Sequence, residues 1–65
     1  MKITYEVRTG WLFLDKIFYS LEDARNYVEE IKHRDKKPKF ITIIKYEIRS
    51  EYVETTRLDN EIRTD

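Results

Sequence analysis

Few side chains in this sequence could do covalent chemistry, and their spacing limits what they could do. His33 is the only histidine and cysteine is absent, so no zinc set, thiol nucleophile or disulfide can be assembled. His33 stands among Lys32, Arg34 and Asp35 at the end of a helical pattern. A general base needs a nucleophile to serve, and none is implied nearby, so His33 reads as a solvated or helix-capping side chain. Glu51 and Glu54 alternate with Tyr52 and Thr55, which suits a solvated strand edge better than a catalytic carboxylate pair. Asp59, Glu61 and Asp65 lack the ligand spacing of a cation loop. There is no Gly-rich phosphate loop and no nucleophile elbow. The expectation is a protein that is not an enzyme, with no catalytic, cofactor-binding or metal-binding residues. A chain this short also leaves little room for a pocket.

Binding chemistry is better represented. The run "KHRDKKPK" concentrates Lys32, Arg34, Lys36, Lys37 and Lys39 in eight residues. Such a run can contact phosphate or an acidic protein, with tyrosines stacking on bases. It can equally be a solvated turn that complements the negative end of a helix. The aromatic-Gly-aromatic signature of an RNA-recognition sheet is missing from "KFITIIKY". Thirteen basic residues balance thirteen acidic ones, whereas non-specific nucleic-acid binders carry a basic excess. Nucleic-acid binding through residues 32–39 is therefore the alternative rather than the leading reading. No apolar stretch approaches the roughly 20 residues that span a bilayer, and no signal-peptide core is present. No membrane partner is expected, and a cytoplasmic location fits the lack of cysteine.

The elements that must position these residues can be read from periodicity. Sixty-five residues make one domain near the lower size limit for folding without staples. "KITYEVRT" alternates, with Ile3, Tyr5 and Val7 on one side, and predicts a strand with one wet face. Gly10, the only glycine, suits a turn needing positive φ. "WLFLDKIFY" predicts a second strand, bulged near Asp15–Lys16 and apolar on both faces at its start. "SLEDARNYVEEIKHR" is a helix: Ser20 caps it, Glu22 and Asp23 suit its positive end, and Leu21, Ala24, Tyr27 or Val28, and Ile31 share a face. Pro38 marks the exit.

The expected fold class is α+β, a two-layer β-β-α-β sandwich with one helix on an antiparallel three-stranded sheet in the order 2-1-3. The third strand, residues 40–57, poses a problem of length. A compact chain of this size is about 28 Å across, but these eighteen residues would extend about 60 Å. Either they turn near Arg49–Glu51 into a fourth strand, or a long bent arm leaves the body and seeks a partner. A bulge or bend near residues 50–53 is expected, where the apolar alternation breaks at Val53. One domain over residues 1–57 is expected, with 58–65 as a flexible tail.

One helix covers one sheet face, yet the second and third strands carry apolar residues of both parities. Ile41 and Ile43 are thus expected on the open face with either Trp11 and Phe13 or Leu12 and Leu14; the aromatic pair is favoured, and Trp11, Phe13, Ile41, Ile43 and Tyr52 form the proposed contact set. The layout of "YEVRTGW", "FYSLEDARNYVEEIK" and one Ile/Tyr/charge strand resembles small β-β-α-β accessory proteins of phages and mobile elements, including anti-CRISPR inhibitors. That resemblance implies a protein that inhibits a host or defence protein by contact, and it transfers no site residue. The reading is a protein-binding module without cofactors, expected to form a homodimer, with a protein partner that sequence does not identify.

Overall fold

A computed structural model describes residues 2–58. The elements are β1 (Thr4–Arg8), β2 (Lys16–Phe18), α1 (Leu21–Lys32), β3 (Phe40–Tyr46) and β4 (Ser50–Arg57). All strand pairs are antiparallel, in one sheet of order β2-β1-β3-β4, and α1 packs across one face. The protein is thus a small α+β fold with a four-stranded sheet.

Local chemistry explains each element. The Ser20 hydroxyl accepts from the Asp23 N–H at 3.0 Å, occupying one of the donors a helix start leaves unpaired. Glu22 and Asp23 sit in the first turn and Lys32 in the last, in keeping with the helix dipole. At the other end the His33 N–H donates to the Glu30 carbonyl at 3.2 Å. Ala24, Val28 and Ile31 form the buried stripe, flanked by the half-buried Leu21 and Tyr27. Beneath them lie Val7, Ile41 and Ile43, with Val7 directly opposite Ile43 in the β1–β3 register.

That register corrects one expectation. Ile41 and Ile43, expected on the open face, are each 1% exposed in the helix-packed core. Residues opposed across strands share a face, and Val7 faces the helix, so Ile43 must as well. The parity of Phe40, Ile44 and Tyr46 is the one turned away.

The second strand is also shorter than its sequence suggested. Only Lys16–Phe18 pairs with β1, and residues 11–15 turn instead, through Leu14 N–H to Trp11 O at 2.8 Å and Asp15 N–H to Leu12 O at 3.2 Å. A carboxylate holds this loop closed. Asp15 Oδ1 accepts from both the Thr9 N–H and the Thr9 hydroxyl at 2.8 Å, and the same hydroxyl accepts from the Trp11 N–H at 3.0 Å. Gly10, at φ 91°, makes the reversal. A strand at the sheet edge could have covered only one face of "WLFL". The loop instead buries Leu14 and seats Trp11 against the core.

The length problem is solved by a hairpin. The chain reverses through residues 47–49, and β4 returns along β3. Ile43 opposes Glu54 while Ile44 opposes Tyr52, so Val53 is the extra residue of a bulge. Among the described residues no arm projects from the sheet, and the described part is elongated at 46 × 21 × 20 Å. Leu58, expected to begin the tail, donates its N–H to Lys39 O at 2.8 Å and packs on the core. The expectations for 59–65, including those for Asp59, Glu61 and Asp65, lie outside the described residues.

Candidate contact surfaces

Two surfaces stand out, and the sheet defines the first. Its face opposite α1 carries no second layer among the described residues. The registers give three cross-strand rows there: Ile17–Glu6–Ile44–Tyr52, Arg8–Thr42–Thr55, and Thr4–Tyr46–Ser50. Ile44 is buried yet stands outside the helix-packed core. At the two ends of its row Ile17 is 62% and Tyr52 77% exposed. Tyr19, one alternation beyond Ile17, is exposed as well, with Lys2 Nζ 5.6 Å from its ring centre.

A polar network crosses the middle of this face. Tyr46 Oη donates to Glu6 Oε1 at 3.0 Å, and Arg8 Nη2 donates to the same oxygen at 2.9 Å and to Tyr46 Oη at 3.2 Å. The hydrogen bond to Glu6 raises the Tyr46 phenol above its ordinary value, and the same carboxylate raises the Arg8 guanidinium. The three groups bond to one another, while half of the Arg8 side chain still meets solvent. Thr42 and Thr55 add a hydroxyl pair at 3.2 Å. An arginine, tyrosines and aliphatic side chains on a rigid sheet form the composition from which binding hot spots are built.

The second surface is the end of the sheet where β1 finishes and β3 begins. Leu12 is 87% and Phe13 73% exposed at the tip of the 9–15 loop. The Phe13 ring stacks on Trp11, with centroids 5.7 Å apart and planes 20° apart. The Phe40 ring reaches the same place, 3.9 Å from where a Cβ on Gly10 would sit. Next to Phe40 is Lys39, the last of the basic run, and residues 33–37 and 39 are all exposed. Arg34, Asp35 and Lys36 line a shallow depression. Lys32 is engaged with Glu29 at 3.0 Å, and on the helix side of this end Lys16 Nζ lies 4.9 Å from the Tyr27 ring centre. Burial raises the Tyr27 phenol, whose hydroxyl donates to the Leu14 carbonyl at 2.7 Å.

The five expected contact residues therefore separate three ways. Tyr52 is on the open face, Trp11 and Phe13 are at the loop tip, and Ile41 and Ile43 are in the core. Sequence reasoning missed the Glu6–Tyr46–Arg8 network, although Glu6 and Arg8 at alternate positions of a strand already share a face. It also missed Ile17, Tyr19 and Phe40 as contact residues, and it set Leu12 second to the aromatic pair. Another depression, of about 220 Å³, lies at the β3–β4 turn among Lys45, Glu47, Ile48, Arg49 and Glu51. Among the described residues no group of three His, Cys, Asp or Glu side chains is placed to hold a metal ion, and no helix is long and apolar enough to cross a membrane. No family model, curated protein or solved structure matches the chain.

Proposed function

We propose that this protein is a non-enzymatic binding module that acts by surface contact through its open sheet face. Its partner is a second copy of the chain or another protein, and Ile17, Tyr46, Tyr52 and Arg8 carry the contact. The observation behind this reading is the row Ile17–Glu6–Ile44–Tyr52, apolar and exposed at both ends beside the hydrogen-bonded Glu6–Tyr46–Arg8 network. The layout's resemblance to phage accessory proteins supports counting a host or defence protein among the partners.

The face is a better contact than the outer edge of β4. On the near side of the bulge Ser50 and Tyr52 point to the open face; beyond it Thr55 and Arg57 do. A partner strand in regular register along all of β4 would keep alternating and could match only one side of Val53. Bulges protect edges in this way.

Sedimentation velocity at rising concentration, for the wild type and an Ile17→Asp/Tyr52→Ala chain, tests the self-association. Concentration-dependent dimer that the double variant loses is expected. A wild type that stays monomeric into the high micromolar range removes self-association. If, in addition, the double variant retains from a source-cell lysate everything the wild type retains, the open face is not the contact.

A further inference from the structure

We propose that the Leu12–Phe13 tip and the basic connector beside it dock on an anionic lipid surface, as a peripheral contact separate from the open sheet face. The tip is built to stay out in solvent. Leu14 is 4% exposed and Trp11 packs on the core, while the Thr9–Asp15 hydrogen bonds close the loop between them. Turning Leu12 and Phe13 inward would expel the two residues that anchor the loop. They therefore project as a fixed apolar pair.

Charge selects the occupant. Between residues 33 and 39 there are four cations, Arg34, Lys36, Lys37 and Lys39, against one carboxylate, Asp35. All are exposed, and Lys39 adjoins Phe40, whose ring lies against Gly10 at the base of the tip. A second copy docking tip to tip would bring two such basic ends together, and that repulsion counts against it. The shallow depression in the connector is lined by Arg34, Asp35 and Lys36, a charged lining unsuited to an apolar peptide. Phe13 is an exposed aromatic that a base could stack on, but Leu12, more exposed still, offers nothing to a base, and the chain lacks the basic excess of a nucleic-acid binder, so nucleic acid is the less favoured occupant. An anionic bilayer accepts both features together, with Leu12 and Phe13 entering the headgroup–acyl boundary and the lysines at the level of the phosphates. No membrane span is involved. The lack of a spanning segment leaves a peripheral contact open, and a strand over residues 11–14 would not have formed such a tip.

Trp11, the only tryptophan, reports on the tip directly. The full chain is mixed with phosphatidylcholine vesicles containing about 30% phosphatidylserine and with pure phosphatidylcholine vesicles. A blue shift of Trp11 emission, quenching by brominated acyl chains and vesicle flotation are expected with the anionic vesicles. Binding should weaken as salt rises from about 0.1 M to about 1 M, where the Debye length falls from about 10 Å to about 3 Å. Leu12→Ser/Phe13→Ser and Lys36→Glu/Lys37→Glu should each lower binding about tenfold or more. Both pairs are exposed, so circular dichroism should be unchanged, and Ile17→Asp/Tyr52→Ala should bind vesicles normally. The proposal is overturned if the anionic vesicles are not bound or if both compositions bind equally. It is also overturned if an oligonucleotide shifts Trp11 emission while vesicles do not, or if a lipid-free dimer disappears with Leu12→Ser/Phe13→Ser.

Discussion

Removing the Asp15 carboxylate tests how the exposed tip is held. Thr9 is 2% exposed, and its N–H has Asp15 Oδ1 as partner at 2.8 Å. In Asp15→Ala that donor stays buried without an acceptor, which costs about 1–3 kcal/mol. The Thr9 hydroxyl loses the same oxygen but can turn to the Trp11 carbonyl, already 3.2 Å away, so its loss adds little. A central value of about 2 kcal/mol is substantial against the roughly 3–10 kcal/mol expected for a domain of this size. It corresponds to a fall in Tm of about 8–16 °C at roughly 4–8 °C per kcal/mol. Thermal and urea unfolding by circular dichroism measure it, with Asp15→Asn alongside. Asn keeps an acceptor oxygen in place, so it should recover part of the loss. In Asp15→Ala, Trp11 emission should also shift red as the loop loosens and water reaches the indole. An Asp15→Ala chain within about 0.5 kcal/mol of wild type, the range of ordinary surface substitutions, would refute the reasoning. The Thr9–Asp15 closure would then not be what keeps residues 11–14 out of the sheet.

Two further outcomes follow from the register and the open-face network. Ile43→Ala should cost about 2–5 kcal/mol, because it opens a cavity under α1, whereas Tyr52→Ala should stay within about 0.5 kcal/mol; equal costs in urea unfolding would contradict the assignment of Ile43 to the core. The Glu6 hydrogen bond raises the Tyr46 phenol, so the folded state keeps a proton that the unfolded chain has begun to lose near pH 10. That contribution is present below this pH and fades as pH climbs through the raised value, so Tyr46→Phe should make the alkaline loss of stability shallower. Parallel profiles for the two chains above about pH 9.5 would show that the bond contributes nothing.

The elements visible in the sequence were those that local chemistry determines. Ser20, Asp23 and the Ala24–Val28–Ile31 stripe specify a helix without reference to the rest of the chain. The alternation of Tyr5 and Val7 with Glu6 and Arg8 specifies a strand and its wet face in the same way. What failed depended on pairing. Ile41 and Ile43 have the same β-branched side chain as Ile44, and only the opposition of Val7 to Ile43 decides which parity lies under the helix. Likewise nothing in "WLFLDKIFY" announces that Asp15 will bond back to Thr9 across six positions. The Val53 bulge was legible because it disrupts an alternation. The hairpin turn at residues 47–49 was less so, since Glu47–Ile48–Arg49 has none of the usual turn residues, and chain length had to supply the argument.

The same separation explains why contact and folding can be tested independently in so small a domain. Its stability rests on one layer, Val7, Ile41 and Ile43 beneath Ala24, Val28 and Ile31, and on the Thr9–Asp15 closure that seats Leu14 and Trp11 beside it. The side chains of that layer, with Leu14, are buried and not available to a partner, and Trp11 and Asp15 are partly buried. The side chains offered outward, Leu12, Phe13, Ile17 and Tyr52, are each more than half exposed and bury little on folding. Replacing them should therefore cost little stability, and effects at the loop tip and at Tyr52 should add, since these sites share no described contact. If the two pairs of variants instead destabilised the fold as strongly as Ile43→Ala, the outward residues would be structural. The assignment of both surfaces to partners would lose its physical basis.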